Sequence, residues 1–198
     1  MDDAASGWVV DDEGWVPAAR RIVSPNYDAR PENESVSLLV VHAISLPPGR
    51  FGGDGVERLF TNTLDPAAHP FYAGIFEMKV SAHFFIRRDG ELIQFVSCAQ
   101  RAWHAGVSNW QGRPRCNDYS IGVELEGCDE ACFEDAQYEC LNRLAAVLCR
   151  TYPLLAVAGH ADIAPGRKTD PGPFFEWQRL SGALATNCNS MATKSAEA

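Results

Sequence analysis

The sequence predicts a single α/β domain, and three stretches carry that prediction. Residues 37–42 form a branched, mostly apolar run, as in a strand covered on both faces. Residues 81–86 and 91–96 flank an Asp-Gly pair at 89–90, which indicates a two-stranded antiparallel hairpin. Between residues 134 and 152, apolar side chains recur every three or four positions. This spacing predicts an amphipathic helix that packs against the sheet.

The composition narrows the range of functions. A chain of 198 residues with 46% hydrophobic content is long enough to bury one sizeable core. Its net charge of -9 and the lack of a basic run argue against nucleic-acid binding, which depends on Lys and Arg. The acidic start lacks the basic and apolar regions of a signal peptide, and no apolar run is long enough to cross a bilayer. We therefore expect a cytoplasmic protein that binds neither nucleic acid nor membrane, and we favour a monomer.

The seven cysteines do not predict a disulfide framework. Their number is odd, no C-x-x-C pair occurs, and the chain does not resemble a small secreted domain. We expect reduced thiols.

The chain divides into three parts. Residues 1–15 are acidic and weakly patterned, so we expect a loosely ordered segment with Trp8 and Trp15 as docking points. Residues 16–185 form the domain, and residues 186–198 are polar and patternless, which predicts a disordered tail. Within the domain, residues 43–80 make a long excursion with a short helix near 56–64. Loops of that length more often cover a site than merely connect two elements.

The segment 159–173 brings together groups that bind metal. Pro and Gly residues punctuate the stretch between His160 and Asp170, so no helix spans them and a turning loop can bring both side chains to one point. Imidazole and carboxylate suit zinc, and catalytic zinc sites use three protein ligands and leave one position for water. A third ligand, from His, Asp, Glu or Cys, must come from elsewhere in the chain.

Histidines elsewhere offer candidates for that ligand. His42 closes the predicted buried strand, where it is well placed for a site at the edge of the sheet. From this run alone, a histidine that only satisfies a backbone group is the more frequent case. His83 is expected to be a core histidine or a partner that orients a ligand, and His69 a surface residue.

The stretch 120–127 alternates as a strand and places a carboxylate on one face. Ile121, Val123 and Leu125 occupy one side, and Glu124 lies in the middle of the other. A carboxylate there is either paired structurally or acts as a proton acceptor. Gly122 beside it leaves room for a substrate, and Glu126 is the more dispensable of the two acids.

Residues 101–119 show neither helical nor strand periodicity. Their composition predicts a loop that lines a binding site, which we call the binding wall. The rings of Trp103 and Trp110 offer faces on which a sugar can lie, and His104 offers a polar contact. Arg113 and Arg115 carry charges for an anionic ligand. The alternative for both arginines is simple exposure to solvent.

Five separated motifs carry a resemblance to a known family. They are V-V-H-A-I-S-L-P-P-G, S-A-H-F-F-I-R-R-D-G, R-A-W-H-A-G-V-S, C-N-D-Y-S-I-G-V-E-L-E-G and G-H-A-D-I-A-P-G-R-K-T-D-P-G-P. The motifs occur in this order along the chain. Over residues 15–185, the chain resembles the cytoplasmic zinc amidases that cleave 1,6-anhydro-N-acetylmuramyl-L-alanine in bacterial cell-wall recycling. That family is related to phage lysozyme-type amidases and peptidoglycan-recognition proteins.

The resemblance implies a fold, a cofactor and residue roles. The fold is a mixed, mainly central β-sheet flanked by helices, and zinc is held by His42, His160 and Asp170. Glu124 acts as general base, and Lys168, otherwise a surface lysine, stabilises the tetrahedral oxyanion. The implied substrate is an anhydro-muramyl peptide, cleaved between its lactyl group and L-alanine.

Three positions depart from the family pattern, and two other functions stay open. Ala43 replaces the usual Asn, Lys79 the usual Arg, and Ala161 the frequent Cys. Arg115 matches a family arginine in the substrate cleft and is our candidate for binding the carboxylates of the stem peptide. One alternative is an amidase that acts on intact peptidoglycan. The other is a non-catalytic recognition module, which would usually have lost the third metal ligand, whereas Asp170 is present.

Overall fold

The computed structural model describes residues 8–180. Its strands are β1 (Arg20–Arg21), β2 (Tyr27–Ala29), β3 (Leu38–Ile44), β4 (Phe84–Ile86), β5 (Leu92–Gln94), β6 (Gln100–Ala102), β7 (Asn109–Trp110), β8 (Arg113–Pro114), β9 (Ser120–Glu126) and β10 (Ala156–Gly159). Its helices are α1 (Gly55–Phe60), α2 (Asp135–Thr151) and the single turn α3 (His160–Ile163). Short 3-10 turns occur at Tyr72–Gly74, Cys116–Asp118 and Trp177–Leu180. The predicted tail at 186–198 lies outside the described residues.

A mixed six-stranded sheet in the order β1-β5-β4-β9-β3-β10 organises the fold. Strands β4, β9, β3 and β10 run parallel, and β5 pairs antiparallel with β4 through the Asp-Gly turn. The predicted mixed sheet and hairpin are therefore confirmed. Because β3, β9 and β10 are parallel and adjacent, their carboxyl ends meet at one edge, where ligands bind in open α/β sheets.

Helix α2 covers one face of the sheet. The three apolar residues of β9 predicted to share a face, Ile121, Val123 and Leu125, are fully buried in one cluster with α2 residues such as Leu141 and Leu144. The helix begins with a capping box, in which the Gln137 side chain accepts a hydrogen bond from the Glu134 N–H, and it ends two residues before Pro153. The predicted amphipathic helix is thus confirmed within one residue at each end.

Two smaller clusters cover the opposite face. One joins α1 to the hairpin, with Leu59 and Phe60 packed near Phe85 and Phe95. The other joins residues of β3 to the segments around Cys116 and α3, and includes Leu38, Val40, Ala105, Tyr119 and Ile163. The long excursion therefore supplies part of the core, and its short helix, predicted near 56–64, ends earlier, at Phe60.

The segment before β1 is attached to the domain more firmly than its sequence predicts. Trp8 and Val10 pack against the main core, and the carbonyl oxygen of Gly14 accepts hydrogen bonds from the Cys98 N–H and the Gln94 side chain. The expected loose segment therefore does not extend to residue 15, and residues 1–7 lie outside the described part. No helix within residues 8–180 has the length and apolar character required to cross a membrane.

Candidate metal centre and active site

His42 and Glu124 project from the centre of the sheet towards one point. His42 is the fifth residue of β3 and lies directly opposite Glu124 in the parallel register between β3 and β9. Both side chains are buried, with 1% of His42 and 9% of Glu124 exposed. Two adjacent buried strands thus place one polar group each side by side.

His160 and Asp170 reach the same point from the neighbouring strand. β10 pairs with β3, with Gly159 opposite Val41, and His160 follows at the start of α3. The chain then turns back, so that the Ala161 N–H donates to the carbonyl oxygen of Asp170 at 2.9 Å. His160 therefore lies on a single helical turn rather than in a loop, while the predicted turning segment leads to Asp170.

Three potential ligand atoms meet at this point. His42 Nδ1 lies 2.9 Å from His160 Nδ1, and each of these nitrogens lies 3.1 Å from Asp170 Oδ2. Tetrahedral zinc ligands at about 2.0–2.2 Å from the metal lie about 3.3–3.6 Å from one another. Among the described residues, these three side chains form the cluster that has metal-binding geometry.

The protonation states of these three side chains also suit the binding of a cation. His160 Nε2 lies 3.1 Å from the carbonyl oxygen of Ala105. A carbonyl only accepts, so the ring proton is on Nε2 and the lone pair of Nδ1 points to the cluster. Burial lowers the pKa of His42 to about 4. Burial alone would raise the pKa of Asp170, but the adjacent imidazoles of His160 and His42 hold it below its ordinary value. Neutral imidazoles and an ionised carboxylate are the forms that bind zinc.

Glu124 is a buried carboxyl group with a free oxygen. Its Oε2 has no hydrogen-bond partner among the described residues. Burial, and then the negative charge of Asp170, raise the pKa of Glu124 well above its ordinary value, while the charge of Lys168 lowers it. A buried carboxyl with a free oxygen can accept and return a proton during a reaction.

Lys168 acts on this centre through its charge. It is exposed, and its backbone N–H donates to the carbonyl oxygen of Ala164 at the end of α3. The same charge that lowers the pKa of Glu124 also disfavours a charged His42. Lys168 therefore stays a candidate for the role that the resemblance implies.

His104 does not lie where a substrate contact was expected. Its ring is buried behind His42, with Nδ1 2.9 Å from His42 Nε2. Gly122 is required beside it, because a Cβ at that position would lie 2.5 Å from His104 Cγ. The space that the glycine provides is thus filled by His104 and not by a substrate.

The other predicted binding residues lie around the periphery. Within residues 8–180, neither Trp103, Arg115 nor Lys79 forms a hydrogen bond to the three candidate ligands. The indole N–H of Trp103 donates to Asp28 at 3.1 Å, and Arg115 is 69% exposed and pairs with Asp118 at 3.0 Å. Lys79 is exposed on the long excursion.

The predicted binding wall contains more regular structure than its pattern indicates. β7 and β8 form a small antiparallel hairpin within it. Trp110 is partly buried against a core cluster. Arg113 pairs with Glu34 and stacks on Tyr119. Trp110 is thus not an open ligand contact, and the Arg113 side chain is 46% exposed, in agreement with the alternative of solvent exposure.

Two further histidines behave as predicted. His83 is fully buried, and its Nδ1 accepts a hydrogen bond from the Gly122 N–H at 3.0 Å. His69 lies near the surface and accepts from the N–H of Phe71. The prediction that neither binds the metal agrees with the geometry.

Three residues at the site carry no signal in the sequence. Asn117 Oδ1 accepts from the backbone N–H groups of His104 and Ala105. Arg167 donates to the carbonyl oxygens of Ala105 and Val107, and Ser120 Oγ lies 3.1 Å from His104 Nε2. Their roles depend on contacts between distant segments, which no local spacing reveals.

Comparison with known proteins places this centre in a family. The model of the N-acetylmuramoyl-L-alanine amidase family (Amidase_2) matches residues 32–173, a range that contains all three candidate ligands, Glu124 and Lys168. The chain belongs to the N-acetylmuramoyl-L-alanine amidase family. The amidase is 58% identical over 171 residues to the 1,6-anhydro-N-acetylmuramyl-L-alanine amidase AmpD of Escherichia coli (strain K12), covering 85% of this chain and 93% of that protein.

Solved structures agree with this assignment. A crystal structure of a Se-Met AmpD derivative superposes on the amidase with a TM-score of 0.85 at 57% identity, covering 87% of this chain and 97% of that one. A complex of the amidase AmiD from E. coli with anhydro-N-acetylmuramic acid-L-Ala-D-gamma-Glu-L-Lys gives a TM-score of 0.56 at 30% identity, covering 89% of this chain and 65% of that one. The predicted family and fold class are thereby confirmed.

Proposed function

We propose that this amidase is a zinc enzyme that hydrolyses the bond between the lactyl group and L-alanine in 1,6-anhydro-N-acetylmuramyl peptides. The observation that carries the proposal is the meeting of His42 Nδ1, His160 Nδ1 and Asp170 Oδ2 within 3.1 Å of one another. A buried carboxyl oxygen of Glu124 without a partner accompanies them. The AmpD relatives and the ligand of the AmiD complex support the choice of substrate.

Two histidines and one aspartate would hold the zinc ion. Zinc in such a site lowers the pKa of a bound water towards about 7 and polarises a carbonyl oxygen. Hydrogen bonds orient two of these ligands. The His160 ring is held by its bond to the carbonyl oxygen of Ala105, and the Asp170 backbone is held by the bond from the Ala161 N–H.

Glu124 would move the proton during hydrolysis. As the water oxygen bonds to the lactyl carbonyl carbon, Glu124 takes a water proton. When the bond from carbon to nitrogen breaks, Glu124 returns that proton to the amino group of L-alanine. Cleavage then leaves a lactyl carboxylic acid and a free amino terminus, and transfer of the acid proton to the amine gives a lactyl carboxylate and an ammonium group, so atoms and charges balance.

Lys168 would stabilise the negative charge that develops on the carbonyl oxygen. Its charge already acts on both Glu124 and His42, so it lies close enough to favour an oxyanion more than a neutral carbonyl.

Substrate binding would involve the periphery of the site. Arg115, 69% exposed, is available to bind the carboxylates of the stem peptide, and Trp103 offers a ring near the same edge. Lys79 on the excursion supplies a second positive charge. His104 would act through His42 and not through the substrate.

We further propose that the enzyme works as a cytoplasmic monomer. All candidate catalytic and ligand residues come from one chain, and the described cysteines at 98, 116, 128, 132 and 140 form no disulfide, as is usual in reducing compartments. Cell fractionation and measurement of the molar mass in solution test both statements.

One experiment tests the function. Purified enzyme is assayed for zinc content and for hydrolysis of anhydro-muramyl tripeptide and, in parallel, of intact sacculi. We expect one zinc ion per chain and much faster cleavage of the anhydro-muramyl tripeptide. Faster cleavage of sacculi would favour an amidase for intact peptidoglycan, and zinc binding without any hydrolysis would favour a recognition module.

A further inference from the structure

The second nitrogen of His42 begins a chain of buried hydrogen bonds that leads away from the metal centre. His42 Nε2 lies 2.9 Å from His104 Nδ1, and His104 Nε2 lies 3.1 Å from Ser120 Oγ. Ser120 Oγ in turn lies 2.5 Å from the carbonyl oxygen of Cys116. At most 9% of His104 is exposed, and Ser120 and Cys116 are fully buried, so water does not compete for these groups.

The donor and the acceptor of each hydrogen bond in this series follow from its last member, the carbonyl oxygen of Cys116. The carbonyl oxygen of Cys116 only accepts, so the hydroxyl of Ser120 donates to it. Ser120 Oγ has then used its single proton and must accept from His104 Nε2–H. Among the described residues, the buried ring of His104 bonds through its nitrogens to Ser120 Oγ and His42 Nε2 and to no carboxylate, so the ring is neutral and carries one donor and one acceptor. His104 Nδ1 is therefore an acceptor, and His42 Nε2 is the donor that faces it.

From this geometry we infer that Ser120 and His104 are positioning residues that place the proton of His42 on Nε2 and leave the lone pair of Nδ1 for the metal. His160 reaches the same tautomer by a shorter route, through the carbonyl oxygen of Ala105. With both protons on the outer nitrogens, the three inner atoms are all acceptors, and only a cation can satisfy them together. The inference rests on the proposed zinc site and adds the residues that prepare one of its ligands.

The surrounding fold holds His104 in place. Asn117 Oδ1 accepts from the backbone N–H of His104 at 3.2 Å, and Gly122 leaves the volume that the ring occupies. Partners that orient a metal-bound histidine typically contribute 10- to 100-fold to metal affinity or activity, a range of about one to two decades.

The direct test is nitrogen-15 NMR of the imidazoles in the metal-free, full-length wild type at neutral pH. We expect His42, His104 and His160 each to carry the proton on Nε2. A His104 with its proton on Nδ1 would overturn the inference without any variant being made. Because this measurement needs no zinc and no substrate, it is independent of whether the proposed function holds.

Variants then test the consequence for metal binding. In Ser120→Ala and His104→Phe, we expect His42 to populate both tautomers and the zinc affinity, measured by competition with a chelator, to fall by roughly 10- to 100-fold. His104→Asn keeps an acceptor near the position of Nδ1, so its zinc affinity should fall less than that of His104→Phe. Ser24→Ala is the matched control, since Ser24 is an equally buried serine whose hydroxyl also donates to a backbone carbonyl oxygen, that of Phe60, at 2.5 Å; its zinc affinity should be unchanged.

The outcomes separate the two proposals. If the wild type binds zinc tightly, and Ser120→Ala keeps both the His42 tautomer and the zinc affinity of the wild type, the positioning role is refuted. The amidase proposal then stays intact. A wild type with the expected tautomers but no zinc affinity would refute the zinc site and leave the proton arrangement standing. If His104→Phe does not fold, Ser120→Ala and the wild-type spectrum still decide the question.

Discussion

His42 on β3 and Glu124 on β9 are direct neighbours in the parallel register of the central sheet. One strand thus supplies a candidate metal ligand and the next supplies a carboxyl group, and both lie on the same face. Because adjacent strands are about 4.8 Å apart, the ligand and the proposed base are held close together by backbone hydrogen bonds rather than by a loop. The rigidity of the sheet therefore sets the distance between the metal centre and the proton acceptor.

Replacing the proposed base should separate catalysis from metal binding. In Glu124→Gln we expect kcat to fall by about 10²- to 10⁴-fold, the usual contribution of general acid-base catalysis, with zinc content unchanged. Hydrolysis of anhydro-muramyl tripeptide and metal analysis measure the two effects. Glu126→Gln is the control: Glu126 lies two residues further on the same face and accepts from the N–H groups of Gly52 and Arg88. That variant should lose stability and keep its kcat, whereas full turnover by Glu124→Gln would exclude Glu124 as the base.

The charge of Lys168 should influence the pH dependence of the rate. Glu124 accepts a proton only when ionised, so the rate should fall as the pH drops through the pKa of Glu124, which burial raises above its ordinary value. Lys168 lowers that pKa. Lys168→Met should therefore raise it and move the acid limb of the profile to higher pH. It should also lower kcat by about 10²- to 10³-fold through the loss of oxyanion stabilisation.

Lys168→Arg retains the positive charge and serves as the comparison. Its acid limb should stay near that of the wild type. An acid limb in Lys168→Met that stays in place or moves to lower pH would contradict the assigned interaction between Lys168 and Glu124.

Zinc should stabilise the folded protein through the three ligands. A ligand that binds only the folded state adds about 2.7 kcal/mol when its free concentration is about 100 times its Kd. Thermal unfolding of the metal-free protein with and without buffered zinc measures this gain, which Asp170→Asn should abolish. Asp162→Asn is the control from the same segment, because the Asp162 carboxylate accepts from the Gly159 N–H at 2.7 Å instead of facing the centre. A zinc-dependent gain in Asp170→Asn equal to that of the wild type would argue against the ligand set.

The glycine beside the histidines should tolerate no side chain. In Gly122→Ala the new Cβ would meet the His104 ring at 2.5 Å, and overpacking of a buried site costs about 1–3 kcal/mol. We expect lower stability in urea unfolding and weaker zinc binding, since the ring that orients His42 must move. Gly74→Ala has no heavy atom within 4 Å of the new Cβ and should change neither quantity.

An ion-pair network should contribute to stability against acid. Burial raises the pKa of Glu57, but hydrogen bonds from Arg20 and Arg87 outweigh it and leave the pKa below its ordinary value. A depressed carboxyl pKa stabilises the fold above the unfolded pKa of about 4.3, and that contribution is lost as the pH falls through the folded pKa. Glu57→Gln should therefore destabilise the protein at neutral pH, and its difference from the wild type should shrink below about pH 4.

Urea unfolding over a pH series measures this difference. Glu91 also pairs with Arg20 and Arg87, but 38% of its side chain is exposed against 17% for Glu57. Glu91→Gln should therefore have the smaller effect at neutral pH. A difference between wild type and Glu57→Gln that grows on acidification would contradict the assigned sign.

The sequence by itself determined the elements and most of the candidate chemistry of this protein. Periodicity is local, so the alternation at Ile121, Val123 and Leu125 and the helical spacing from 134 to 152 could be recognised without a structure. The separated motifs identified the family, and with it the candidate roles of His42, Glu124, His160, Lys168 and Asp170.

Only the tertiary structure decided which neighbours act on those residues. His104 was predicted to contact a substrate, and Gly122 to leave room for one, yet the ring of His104 fills the space beside Gly122 and faces His42 across 62 positions of the chain. No sequence pattern singled out Ser120, because its contribution is to fix which atom donates in one buried hydrogen bond. Hydrogen-bond direction depends on which acceptors surround a group in space, and strand pairing, not sequence spacing, brings those acceptors together.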